Sequence, residues 1–155
     1  MDSSILASAA LAVAILLAHT ANAGTLIPVV PVPNSTGAVA IGINDNNVIT
    51  GTYTTSDGNM HGFVGTLDGV YSTFNHPSGR TEGLSVNNDG YVVGQANPSD
   101  DRIFGDSFER KPNGEIVPLT RHGITIDGFP HSIVKKQKFV GEYWTTDKDD
   151  NMVIR

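Results

Sequence analysis

The side chains that most often do chemistry in proteins are few in this chain, and they are not grouped. There are five histidines and no cysteine. None of the histidine pairs has the spacing of two or four residues, with a companion carboxylate, that metal-binding motifs use. The Gly-x-Ser-x-Gly motif of hydrolases and the glycine-rich phosphate loops are also missing. The sequence therefore predicts no metal site, no cofactor and no catalytic residues.

Three aromatic residues are the candidates for ligand binding. Tyr53 and Tyr143 each lie two residues after the glycine that ends a repeated segment, and Trp144 is the only tryptophan. Aromatic rings near loop ends stack on sugars or on partner proteins, although strands also favour aromatics for packing. We expect these three residues to contribute to a binding site, with core packing as the alternative. His61 begins a repeated triplet, and for it we expect a structural hydrogen bond between repeats.

These candidates lie on an internal repeat. Residues 40–51 read Ala-Ile-Gly-Ile-Asn-Asp-Asn-Asn-Val-Ile-Thr-Gly, and residues 83–94 read Gly-Leu-Ser-Val-Asn-Asn-Asp-Gly-Tyr-Val-Val-Gly, 43 positions later. A weaker third copy covers residues 132–141. Each copy reads as an apolar strand, a polar turn and a second strand. Asn, Asp and Gly tolerate the positive φ of hairpin turns, which predicts turns at Asn46-Asn47, Asp68-Gly69, Asp89-Gly90 and Asn113-Gly114.

The repeat predicts an all-β fold of four-stranded antiparallel units. A unit of some 43 residues has the size of one propeller blade, so the body is expected to be propeller-like or a three-unit barrel-like form. We place units at residues 38–79, 80–121 and 127–155 of a single domain that covers residues 24–155. Apolar residues that recur in register are expected to be buried: Ile43, Val48, Phe63, Val86, Val92, Phe108 and Phe139.

The third unit ends one strand short, and residues 25–33 are the candidate for that strand. Residues 29–32 align with residues 72–75, which occupy the fourth-strand position of the first unit. We expect this segment to pair with Met152-Val153-Ile154, because pairing of the two chain ends would cover two open strand edges. Its prolines limit the number of ladder hydrogen bonds. The alternatives are a ring of six units made by two chains and a truncated relic of a larger propeller.

The repeat also resembles a known family, the bacterial extracellular HAF repeat. The resemblance rests on His61-Gly62-Phe63-Val64, the Asp68-Gly69 turn, Pro77, Thr81 and the Asn-rich run at residues 86–94. It covers nearly all of residues 38–94 and weakens afterwards, where Asp106-Ser107-Phe108 keeps only the phenylalanine of the His-Ala-Phe triplet. The resemblance implies a secreted bacterial protein with a propeller-like fold. It implies no particular chemistry.

The first 23 residues are interpreted as a signal peptide. Residues 5–17 form an apolar run, and Ala21 and Ala23 supply the small residues that signal peptidase reads. The run is shorter than the ~20 apolar residues of a membrane-spanning helix, so it is not interpreted as a membrane span. No membrane span is expected in the chain that remains after its removal. The sequence thus predicts a secreted or periplasmic protein. A net charge of −6 argues against nucleic acid as a partner.

Three functions remain open from the sequence. The leading hypothesis is a non-catalytic binding or scaffold module with an extracellular protein or glycan as partner. The second is a glycan-active enzyme of the propeller type, which would need convergent carboxylates or a Tyr/His pair. The third is a structural assembly subunit, a homo-oligomer in which another chain completes the third unit.

Overall fold

The computed structural model describes residues 29–97, 105–121, 124–136, 138–146 and 152–154. All regular elements in these ranges are β-strands, which confirms the all-β prediction. The proposed signal peptide at residues 1–23 lies outside the described residues. The first unit comprises β1 (Gly37–Ile43), β2 (Val48–Thr54), β3 (Met60–Thr66) and β4 (Tyr71–Phe74). The second comprises β5 (Arg80–Val86), β6 (Val92–Asn97), β7 (Gly105–Arg110) and β8 (Ile116–Pro118).

The remaining strands form a short hairpin and the third unit. The hairpin pairs β9 (Thr120–Arg121) with β10 (Ile124–Thr125). The third unit comprises β11 (Asp127–Lys135), β12 (Lys138–Thr146) and β13 (Met152–Ile154), which pair antiparallel in that order. The sequence did not predict the β9–β10 hairpin.

All four predicted hairpin turns are present, and they share one geometry. In each turn a residue with positive φ donates its N–H to the carbonyl three residues earlier, which is a type I turn followed by a bulge residue. Only the second residue of each predicted pair has positive φ. The turn at Asp57-Gly58, which the sequence analysis did not single out, has the same geometry. The positive-φ residues are Asn47 (58°), Gly58 (82°), Gly69 (96°), Gly90 (81°) and Gly114 (93°).

The strands form two main antiparallel sheets. The first has the order β1-β2-β3-β4 and corresponds to the first unit. The second has the order β13-β12-β11-β7-β6-β5, and β8 also pairs with β7. The second and third units therefore share one sheet. The join arises because β8 pairs only with Phe108–Arg110 of β7, which leaves Gly105 and Asp106 to pair with Gly128 and Asp127 of β11.

Three apolar layers alternate with the units. The outer layer lies on the free side of the first unit, the middle layer separates the first and second units, and the third layer lies between the second and third units. The outer layer contains Val32, Ile49, Tyr53 and Phe63; the middle layer contains Phe74, Val86, Val92, Ala96 and Phe108; the third layer contains Val93, Leu119 and Ile133. Alternation along each strand places neighbouring residues in different layers, as Val92 and Val93 illustrate.

Burial of the recurring apolar residues agrees with the sequence in most positions. Phe63, Val86, Val92 and Phe108 are buried, and Val48 and Phe139 are half-buried. Ile43 is the exception, because 60% of it is exposed. The prediction was wrong there because Ile43 pairs with Ile49 and projects from β1 to the side opposite β5, which no described unit covers. Its counterpart Val86 is buried because β5 lies under the strands of the first unit.

The expected closing strand is not formed by the described part of its segment. Residues 29–32 adopt no strand and lie on the first unit, where Val32 is buried beside Phe63. β13 pairs with β12. The physical reason is twofold: Pro31 has no N–H to donate to a ladder, whereas Val32 finds an apolar surface on the first unit. Residues 25–28 lie outside the described residues.

His76 packs against the buried Phe108, and its protonation is expected to make stability depend on pH. Its ring stacks on Phe108 with centroids 5.5 Å apart, and its Nδ1 accepts the Ser78 N–H at 3.2 Å. Burial lowers the pKa of His76 and outweighs the opposite effect of nearby Asp106. The unfolded chain therefore binds the proton at a higher pH than the folded chain, near the usual value of about 6.5.

We expect the free energy of unfolding to fall as the pH decreases from about 7.5 to about 5. The stability that depends on neutral His76 is present above the unfolded pKa and is lost as the pH falls through the folded value. Urea unfolding at a series of pH values measures this slope. The variant His76→Phe keeps an aromatic ring against Phe108 and should have a flatter profile in this range; a variant profile as steep as that of the wild type would contradict the assignment.

Candidate functional site

The free side of the first unit, which we call the outer face, carries a cluster of large apolar side chains. Ile49 and Tyr53 project from β2 to this side, and Phe63 projects from β3 opposite Gly51. The ring of Phe63 meets that of Tyr71 edge to face, with centroids 5.4 Å apart at 80°. A chain segment of four residues, 29–32, crosses this cluster. We call it the strap.

The strap is held by a small number of specific contacts. The Tyr71 hydroxyl donates a hydrogen bond to the carbonyl of Val30. Burial, with a smaller contribution from Asp68, raises the pKa of Tyr71, so the hydroxyl keeps its proton and remains a donor. The carbonyl of Val32 accepts hydrogen bonds from both the N–H (3.2 Å) and the Oγ (2.7 Å) of Ser35. Val32, which is 3% exposed, is the apolar anchor.

A cleft of about 410 Å³ lies between the strap and the start of β1. Val30, Ala38, Ala40, Phe63 and Tyr71 are among its lining residues, and its polar groups are the hydroxyls of Ser35, Thr36 and Tyr71. No carboxylate, imidazole or amine lines it. A cleft with this lining can take an apolar side chain or a short extended segment, but it offers no general acid or base for catalysis near neutral pH.

The cleft continues into a strand edge that has no partner among the described residues. β1 pairs with β2 on one side, and its other edge is the end of the sheet. Val39, Ile41 and Ile43 are 59%, 45% and 60% exposed. An exposed apolar edge strand is a surface for pairing with another chain.

The three aromatic residues predicted to bind a ligand do not come together. Tyr53 is only 9% exposed and packs in the outer layer, with its ring 5.1 Å from that of His61. Tyr143 lies on β12 opposite Gly128, in the other sheet. Trp144 lies on β12, where its backbone pairs with Ile154 of β13. Tyr53 therefore has the packing role that the sequence analysis gave as the alternative.

The residues that the sequence analysis missed are those of β1 and the cleft. Ala38, Ala40 and Ile41 are small or aliphatic residues that have no chemical signature. Their one signal is positional, since they belong to the first strand of the first unit, whose outer side no other described unit covers. Position in the repeat is thus the information that would have found them.

His61 lies at the end of the outer face in a network that stays within the first unit. Its Nδ1 is 2.5 Å from Oδ1 of Asn75, and its Nε2 is 3.2 Å from the Thr55 hydroxyl. The expected hydrogen bond between repeats is therefore not found for this residue, because Asn75, just after β4, and Thr55, just after β2, lie against its two ring nitrogens. A hydroxyl, an imidazole and an amide in this order also occur in nucleophilic hydrolases.

The Thr55 hydroxyl, however, is committed to a turn. It donates to Oδ1 of Asp57 at 2.5 Å, and this bond, followed by those from Asn59, lowers the pKa of Asp57. A hydroxyl has one proton, and a carboxylate accepts it here, so no proton is directed at the imidazole. The network accounts for the shape of the β2–β3 turn rather than for an activated nucleophile.

Comparisons with known proteins add no relative. The chain matches no protein-family model, and searches of curated proteins and of solved structures find no match. The HAF-repeat resemblance consequently stays a prediction. Within the described ranges, no group of three or more acidic or histidine residues is arranged to hold a metal ion, and no helix is long and apolar enough to cross a membrane.

Proposed function

We propose that this protein is a secreted, non-catalytic binding or scaffold module that takes another polypeptide on the outer face of the first unit. The observation that carries the proposal is the pairing of an apolar cleft with the open edge of β1. The cleft has no acid or base in its lining, and the edge exposes Val39, Ile41 and Ile43. Binding, rather than chemistry, is what such a surface supports.

The mode of binding that fits this surface is strand addition. An extended segment that pairs with the outer edge of β1 gains main-chain hydrogen bonds from N–H and C=O groups that otherwise face water. Alternate side chains of that segment would point to the outer face, where the cleft beside Ala38 and Ala40 accepts an apolar group. The edge would provide affinity and the cleft would provide selectivity.

A polypeptide fits this surface better than a glycan does. Sugar sites combine exposed aromatic faces with several hydrogen-bonding groups. Here Tyr53 is buried, and the three hydroxyls that line the cleft all donate to backbone carbonyls of the chain itself. A glycan-active enzyme would further require carboxylates that converge on a cleft, or a Tyr/His pair. No carboxylate lines the described cleft, and Tyr53 and His61, which lie side by side, are not in its lining. Secretion is part of the proposal and is supported by the apolar run at residues 5–17 and by Ala21 and Ala23.

The proposal is tested with a photo-reactive amino acid at position 41. Ile41 is 45% exposed on β1, so we expect irradiation to link the chain covalently to a second polypeptide in the cells that produce it, and the adduct to be recovered outside the cytoplasm. The matched control places the same amino acid at Asn113, in the exposed β7–β8 turn. Absence of an adduct at position 41, or equal adducts at both positions, would show that β1 is not a binding edge.

A further inference from the structure

The two interfaces between units follow one rule. β5, the first strand of the second unit, lies across β1, β2 and β3 of the first unit. β11, the first strand of the third unit, contacts β5, β6 and β7 of the second unit, and its contact with β7 includes edge-to-edge pairing in the shared sheet. In each case the first strand of one unit contacts the first three strands of the preceding unit.

Equivalent residues make the close approach in both interfaces. A Cβ placed on Gly42 of β1 would be 2.8 Å from the carbonyl oxygen of Leu84, so the backbones of β1 and β5 nearly touch. Ser85 has the position in β5 that Gly42 has in β1. Its hydroxyl accepts the N–H of Ile133 on β11 at 3.3 Å. The stacking step is therefore repeated along the chain, and one further step would place a first strand across β11, β12 and β13.

The surfaces at the two ends of this stack are the ones that remain open. On β5, Thr81, Leu84 and Val86 are buried by the first unit, whereas the matching strand β1 is exposed along almost its whole length. At the other end, Val134 on β11 and Val140 on β12 are each 65% exposed. Among the described residues, no unit covers the outer side of the first strand or the exposed valines of the third unit.

The strap shows how one further stacking step would be completed. The strap packs on the outer layer as β4 packs on the middle layer. Val32 lies among Ile49, Tyr53 and Phe63. Phe74 of β4 lies among the equivalent residues of the second unit, which are Val92, Ala96 and Phe108. The strap thus occupies the place of a fourth strand that belongs to a preceding unit. Three strands of the third unit are described, and β13 is the last of them in its sheet.

Charge at the turns favours the same arrangement. Between the first two units, the β1–β2 turn stacks on the β5–β6 turn, where the Asp45 carboxylate accepts a hydrogen bond from Nδ2 of Asn88 at 2.8 Å. The equivalent hairpin of the third unit carries exposed lysines at positions 135, 136 and 138. Residues 24–79 contain no lysine or arginine. One further stacking step, in which the first unit of another copy follows the third unit, would set Asp45 of that copy against these lysines.

We propose that two copies of this chain associate head to tail, with β1 of each copy lying across β11, β12 and β13 of the other. The inference rests on the proposed use of the outer face and names its partner as a second copy, which packs across β1 instead of adding a strand to its edge. The strap of each copy comes to the edge of β13 in the other, where no described strand pairs, and takes the place of a fourth strand. Two copies bring six units, which is within the four to eight of closed propellers.

The experiment measures the mass of the full chain in solution by light scattering, for the wild type and two charge variants. The wild type is expected at about twice 16.4 kDa. Asp45→Lys sets like charges against the lysine hairpin, and Lys136→Asp does the same from the other side, so each should raise the dissociation constant at least about tenfold. An equimolar mixture of the two variants should regain the double mass, because both of its interfaces then join opposite charges.

The outcomes separate this inference from the proposed function. All variants keep residues 1–23, so association through that apolar run would leave every mass equal, and equal masses would overturn the inference. A wild type with the mass of one chain, or a mixture of the two variants that stays at that mass, would also overturn the inference. An adduct of position 41 with a different polypeptide, together with a wild type of single mass, would leave the proposed function standing. Circular dichroism of each variant verifies that the fold is retained.

Discussion

The variant Phe108→Ala is expected to lower the free energy of unfolding by about 3–5 kcal/mol. Phe108 is fully buried, and its ring meets Phe74 of the first unit edge to face, with centroids 6.0 Å apart. Removing it leaves a cavity in the middle layer and breaks the contact that joins two units. Because small domains are stable by only about 5–15 kcal/mol, this single change removes a large share of the total.

Urea unfolding of Phe108→Ala and of Val134→Ala gives the comparison. Val134 is 65% exposed, so its replacement should change the free energy of unfolding by no more than about 0.5 kcal/mol. Phe63 occupies the position of Phe108 in the first unit and is 1% exposed, so Phe63→Ala should also cost about 3–5 kcal/mol. A loss below about 1 kcal/mol for Phe108→Ala would show that the middle layer does not hold the units together.

The variant Gly94→Ala is expected to cost about 3 kcal/mol through overpacking. Gly94 lies in the middle of β6, between Gly83 of β5 and Phe108 of β7. A Cβ there would be 2.1 Å from the carbonyl oxygen of Glu82 and 2.5 Å from Cζ of Phe108. The first of these atoms is backbone, so the paired strands must move apart to accept even a methyl group.

The matched control is Gly37→Ala. A Cβ on Gly37, at the start of β1, would meet nothing within 4 Å. The change should be neutral or stabilising by up to about 1 kcal/mol, because alanine restricts the unfolded chain more than glycine does. Both variants are compared by their urea midpoints. If Gly94→Ala and Gly37→Ala unfolded at the same midpoint, the close approach at β6 would not be real.

The hairpins are the part of the fold that the sequence predicted best. The turns at Asn46-Asn47, Asp68-Gly69, Asp89-Gly90 and Asn113-Gly114 all form, because the preference of Asn and Gly for positive φ is a property of a few neighbouring residues. The all-β class followed from the same local signals, repeated at regular spacing. The candidate site followed much less well, since Tyr53, Tyr143 and Trp144 were chosen by residue type and belong to no common surface.

Position in the repeat decided burial wherever two equivalent residues differ. Ile43 and Val86 are interchangeable in the sequence pattern, yet Ile43 is 60% exposed and Val86 is 4% exposed. The difference comes from the neighbouring unit: the first unit covers the side of β5 that carries Val86, whereas no described unit covers the side of β1 that carries Ile43. The strap does not form the predicted closing strand, for a related reason. Val32 packs on the nearest open apolar surface, and this surface exists only after the first unit has folded.

The sequence by itself therefore determined the strands, their turns and the alternation that gives each strand two faces, because these depend on φ preferences and on side chains a few positions apart. Only the tertiary structure decided which faces are covered, that the second and third units share a sheet, and that β1 with its cleft remains open. Burial and sheet edges depend on contacts between residues some 43 positions apart, and a single repeat does not encode whether it has a neighbour on either side.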